Sequence, residues 1–121
     1  METSDKIKFR EDLKIRLRSI VLDLLKMTGK LSKDIEASVI KRQLVRSGSS
    51  VYANYRAACR ARSKNEFFSK LSIVVEEADE TEMWLELLIL SGISNSEEIK
   101  LLHMESVEIL KIMATARKNS K

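Results

Sequence analysis

Leu13, Leu17, Ile20, Leu24 and Met27 recur at alternating spacings of four and three. That spacing stacks apolar side chains on one stripe of an α-helix. It predicts a first helix over about residues 6–28, with Gly29 offering a left-handed stop. Ile40, Leu44, Val51, Tyr55 and Ala58 continue the rhythm through a second helix, about 33–62, which Ser32 can cap. Ser63-Lys64-Asn65-Glu66 has the form of a capping box. It starts a third helix, about 64–91, with Phe67, Leu71, Val74, Ala78, Leu85 and Ile89 inward and Gly92 at its end. Ser94-Asn95-Ser96-Glu97 repeats the box and opens a fourth helix, about 95–117, with Ile99, Leu102, Ile109 or Leu110, and Met113 inward. The short connections make successive helices antiparallel neighbours. The expected fold is all-α: one domain over residues 1–121, an antiparallel up-down-up-down four-helix bundle.

The run Ser47-Gly48-Ser49-Ser50 looks like a loop, but the apolar phase passes through it unbroken. Gly48 follows Leu44 by four and precedes Val51 by three. A glycine inside a helix costs about 1 kcal/mol relative to alanine, so its presence on the core stripe implies close approach of another helix. The phosphate-loop pattern G-x-x-x-x-G-K-[ST] after a strand is absent. At about 100° per residue, Arg42, Arg46, Arg56 and Arg60 fall within about 40° of one another's mean direction, opposite the core stripe. Such a stripe is a solvated face, a surface for nucleic-acid phosphates, or one half of an ion-pairing surface for acidic residues on a neighbouring helix or subunit.

Composition changes this picture little. Apolar residues make up 44% and charged residues 33%, and the chain has no proline and three glycines. That balance fits a globular helical protein rather than a disordered one. No apolar run approaches the ~20 residues of a membrane span, and the N-terminus lacks the apolar core of a signal peptide. With one cysteine, Cys59, no intrachain disulfide forms, which fits a cytoplasmic location. Charge is more informative: residues 1–62 carry +8 and residues 63–121 carry −4. The basic half expects an anionic partner.

Chemistry for an enzyme is missing. The chain has one histidine, His103, and no Ser/His/Asp or Cys/His set is recognisable. Cys59 reads as a packing residue and His103 as a structural or exposed one. The acidic run Glu76, Glu77, Asp79, Glu80, Glu82 and Glu86 invites a metal, but di-iron bundles use Glu-x-x-His motifs, and none is present. No catalytic residue, metal or cofactor is therefore expected. Glu82 lies near the core stripe and needs a partner such as Asn54, Arg56 or a hydroxyl. Trp84, Leu88 and Ile73 form a second apolar strip on the third helix, either an oligomer interface or a wide core contact.

The segments RSGSSV (Arg46–Val51), ANYR (Ala53–Arg56), SKNEF (Ser63–Phe67), EADET (Glu77–Thr81) and WLELL (Trp84–Leu88) closely resemble the bacterial four-helix-bundle proteins encoded in intervening sequences of large-subunit ribosomal RNA genes. Tyr52 stands where a glycine is common, and Thr28-Gly29 where Leu-Pro is common. The resemblance implies a bundle that assembles as a homopentameric ring without established enzymatic activity. The chain is also similar to the accessory variability determinant proteins of diversity-generating retroelements, basic pentamers that bind reverse transcriptase and nucleic acid.

Together these readings give a non-enzymatic oligomeric scaffold that associates with RNA or DNA. Arg10, Lys14, Arg18, Arg42, Arg46, Arg56 and Arg60 are the phosphate-contact candidates, helped by Lys6, Lys8 and Arg16. Gly48, Asn54, Tyr55, Glu77, Glu80, Trp84 and Leu88 are candidates for packing or the oligomer interface. The alternative is a protein–protein interaction module without nucleic-acid binding, its arginine stripe paired with acidic residues across subunits. No membrane partner is expected.

Overall fold

Thr3 opens the first helix, its hydroxyl accepting the Lys6 amide at 3.2 Å. The computed structural model describes residues 3–121. Its helices are α1 (Ser4–Thr28), α2 (Ile35–Cys59), α3 (Lys64–Leu90) and α4 (Glu97–Lys118). Each begins at a side-chain cap, which satisfies an amide that has no intrahelical partner. For α2 the cap is Asp34 rather than Ser32. Asp34 accepts the Ala37 amide at 2.9 Å, and the Ser32 hydroxyl donates to its other oxygen at 2.7 Å. For α4 it is Ser96 rather than Ser94, so that helix starts two residues later than the sequence pattern suggests. Half of the expected box forms at α3. Ser63 Oγ accepts the Glu66 amide at 3.0 Å, while the Glu66 carboxylate lies toward Arg62.

The helix ends also differ from expectation. Gly29 has φ −63°, so α1 closes without a left-handed residue. The Thr28 hydroxyl instead donates to the Leu24 carbonyl at 2.7 Å. Helix α2 ends at Cys59 and leaves Ala61 and Arg62 outside, with Arg60 as the flanking residue. Gly92 behaves as glycines at helix ends do: φ is +77°, and the Ser94 amide reaches back to the Leu88 carbonyl at 3.2 Å.

The helices form an antiparallel four-helix bundle. Sequential helices are neighbours, α2 and α3 pack most intimately, and α1 and α4 close the ring with the sparsest contact. The stripes converge on one core, in which Leu17, Leu24, Leu44, Leu71, Val74, Leu85, Leu88, Ile99 and Met113 are all but sealed from solvent. Leu88 therefore belongs to the core, as the wide-core-contact reading of the second apolar strip has it, while Trp84 is half-buried and Ile73 exposed. Gly48 is buried in the middle of α2. A Cβ there would sit 2.4 Å from Leu24 Cδ1, so glycine makes the notch that α1 fills. Beside it, Thr81 and Ser47 join α3 to α2 through buried hydroxyls 2.9 Å apart. No helix among the described residues is long and apolar enough to cross a membrane.

Candidate nucleic-acid interface

Helices α1 and α2, which carry the basic half of the sequence, are packed side by side. Arg18, Arg42, Arg56 and Arg60 are exposed. Arg42 borders a shallow depression between the two helices, which Leu25 of α1 and Ser38, Lys41 and Val45 of α2 also line. Arg56 lies over the Tyr52 ring, 5.6 Å from its centroid. Arg10 and Lys14 are half-buried, and Lys14 pairs with Glu11 at 2.7 Å.

Arg46 and Arg16 are held by carboxylates on other helices, whereas Lys8 and Lys14 pair with Asp12 and Glu11 on their own helix. Arg46 turns toward α3, where its guanidinium pairs with Glu77 at 3.1 Å and with Glu80. Gln43 Oε1 accepts from Arg46 Nε at 3.0 Å, and Glu80 also accepts the Trp84 indole N–H at 3.0 Å. Four side chains of the sequence pattern thus make one polar network on the α2–α3 surface, which corrects Arg46 as a free phosphate contact. Glu77, Glu80 and Trp84, candidates for packing or the oligomer interface, here belong to a contact between α2 and α3 within one chain. Arg16 is the second cation held from another helix. Its Nε lies 3.0 Å from Glu105 and its Nη2 3.0 Å from Glu108, both on α4. The hydrogen bond from Arg16 holds the Glu108 carboxyl below its ordinary range.

Asn54 bonds within its own helix, its amide donating to the Ser50 carbonyl and hydroxyl at 3.0 Å. Tyr55 is buried, and burial pushes its phenol well above the ordinary range, as it does the neighbouring Cys59 thiol. A buried thiol of raised pKa suits packing rather than nucleophilic chemistry. Glu82 finds a partner that sequence reasoning did not name. Its Oε2 lies 2.7 Å from His103 Nε2 on α4, and Glu86 stands one turn further along α3. No local pattern announces this meeting, because the residues lie on different helices.

A family model, 23S rRNA-intervening sequence protein, matches residues 11–115. The chain belongs to this family. The chain also resembles a solved structure from Bacteroides thetaiotaomicron, described as a protein of unknown function from the S23 ribosomal protein family. The two are 32% identical with a TM-score of 0.80, over 90% of this chain and 97% of the other. No curated protein matches. In this family member the segment Arg46–Leu88 that carries the resemblance is the α2–α3 pair. Its matching polar residues build the Arg46–Glu77–Glu80–Trp84 network described above.

Proposed function

We propose that the protein is a non-enzymatic oligomeric scaffold that binds RNA or DNA through the surface of α1 and α2. The observation that supports this is the separation of its cations. Arg18, Arg42 and Arg60 are exposed and carry no ion pair among the described residues, whereas the carboxylates Glu77 and Glu80 are already taken by Arg46. Cations on adjacent helices without acidic partners are the electrostatic footprint of a phosphate surface. The family name ties such proteins to ribosomal RNA genes.

Self-association is part of the same proposal. Leu22, Leu25, Ile35, Leu90, Leu101 and Met104 are more than half exposed. Scattered exposed leucines are ordinary, but this many on a small bundle favours burial against further copies. The resemblance suggests a pentamer, with nucleic acid and a protein such as a reverse transcriptase as partners, and the lone cysteine fits a cytoplasmic location.

Anisotropy of a labelled single-stranded RNA, titrated at several salt concentrations, tests the binding. The logarithm of affinity should fall with the logarithm of salt at a slope of about −0.7 per phosphate contact. Arg42→Glu/Arg60→Glu should weaken binding at least tenfold while leaving the Arg46 network and the assembly intact. Binding that ignores both salt and charge reversal would overturn the nucleic-acid reading and leave a protein-interaction module. A light-scattering mass of 13.9 kDa, that of one chain, would overturn the assembly.

A further inference from the structure

The side chains of Glu82, Glu86 and His103 place one ligand atom each, two carboxylate oxygens and an imidazole nitrogen, within 4.8 Å of one another. Glu82 and Glu86 are one helical turn apart on α3, so their side chains share a face. His103 reaches that face from α4. Glu82 and His103 are half-buried, with side-chain exposures of 21% and 25%, and Glu86 is exposed. Glu86 has no ion pair or hydrogen bond among the described residues, so its carboxylate is available.

We propose that Glu82, Glu86 and His103 form a zinc-type divalent metal site that clamps α3 to α4. Mixed nitrogen and oxygen donors select a borderline ion; magnesium and calcium prefer oxygen alone. Three protein ligands and an exposed side match the open form of zinc coordination, with water in the fourth position. Zinc–ligand bonds of about 2.0–2.2 Å in a tetrahedron set ligand atoms about 3.4 Å apart. The 2.7 Å His103–Glu82 contact must widen and the longer separations must close, and both adjustments lie within side-chain rotation. Binding requires Nε2 to offer its lone pair to the ion, so the hydrogen bond with Glu82 is exchanged for two bonds to the metal. The site stands apart from the basic surface of α1 and α2, and either can fail without the other.

His103 is the chain's only histidine, so its ring gives a single imidazole signal. The experiment is a titration of chelator-treated, desalted protein with zinc chloride at pH 7.5. It is followed by calorimetry and by nitrogen-15 NMR of the imidazole, in a Cys59→Ser background so that the lone thiol does not compete. Expected are one zinc per chain, a shift of the Nε2 resonance, and no ring shift with magnesium chloride. Glu86→Gln, at an exposed position that leaves the His103–Glu82 contact in place, should weaken zinc at least tenfold. His103→Gln should abolish binding, with helicity checked by circular dichroism. A ring unmoved by millimolar zinc, or Glu86→Gln protein that binds zinc within twofold of the parent, overturns the proposal and reduces the trio to a hydrogen bond between helices.

Discussion

Gly48 shows how one hydrogen atom in place of a methyl group decides a packing contact. Alanine there would gain about 1 kcal/mol of helix propensity. Its Cβ would also press on Leu24 Cδ1 at 2.4 Å, and Leu24 is almost fully enclosed, so the methyl has little room to retreat. Overpacking of this kind costs about 1–3 kcal/mol, so Gly48→Ala should be net destabilising by about 1 kcal/mol. In a Leu24→Ala background the clash is gone, and the same change should stabilise. Urea midpoints at constant m-value in a double-mutant cycle check both signs. Gly48 on the core stripe was legible from spacing alone, since phase depends only on the chain's own geometry. The Glu82–His103 pair was not legible, because it depends on how far α4 is rotated and slid along α3. Cys59 makes a second test. Burial raises its pKa, so at pH 8 a disulfide reagent should react with it more slowly than with free cysteine, and at the free rate once urea unfolds the chain. The linkage has a definite sign. A thiol whose pKa is higher folded than unfolded supports the fold below its ordinary value of 9.0, and that support is lost as pH rises through the folded value.

At the scale of helices the bundle is uneven. The α2–α3 pair is joined by small residues, a buried hydroxyl contact and the Arg46 network. The α1–α4 pair touches least and is bridged by ion pairs from Arg16 to Glu105 and Glu108, with Lys30, just past the end of α1, reaching Glu98. Solvent-exposed ion pairs of this type contribute little, because water and salt screen them. Arg16→Ala should therefore change global stability little, while speeding amide hydrogen exchange in α1 and α4 more than in α2 and α3. Glu108 is the pH handle. Its carboxyl is held below the ordinary 4.5, so its contribution is present above that value and is lost as pH falls through the folded one. Exchange in the variant and the parent should converge in acid. Helix existence was readable because each apolar stripe spans several turns. Helix starts were misplaced by two residues wherever several cap-competent residues stand together, as at Ser32 and Asp34 or Ser94 and Ser96. Which of them caps is decided by the direction of the incoming chain.

At the scale of the molecule, four stripes joined by short connections leave few arrangements other than an antiparallel bundle, so the architecture could be read from the pattern. The destination of the surface charges could not. The four-arginine stripe looks uniform on a helical wheel, yet Arg46 at its edge is drawn to α3, while Arg42 and Arg60 have no ion pair among the described residues. The wheel gives a direction but not the neighbour waiting there. The same division makes a prediction for the whole particle. Charge reversal at Arg46 should destabilise the fold by breaking the network, whereas reversal at Arg42 and Arg60 should leave the thermal midpoint within a few degrees. Thermal unfolding followed by circular dichroism distinguishes the two classes before any ligand is added.

Trp84 is the chain's only tryptophan, and its indole donates to the Glu80 carboxylate that also holds Arg46. The protein thus carries its own optical probe at an ionic node linking α2 to α3. Its emission will stay fixed while an added polyanion occupies Arg42 and Arg60. It will change colour only when a competitor strips Arg46 from its carboxylates, so intrinsic fluorescence separates surface binding from loosening of the bundle.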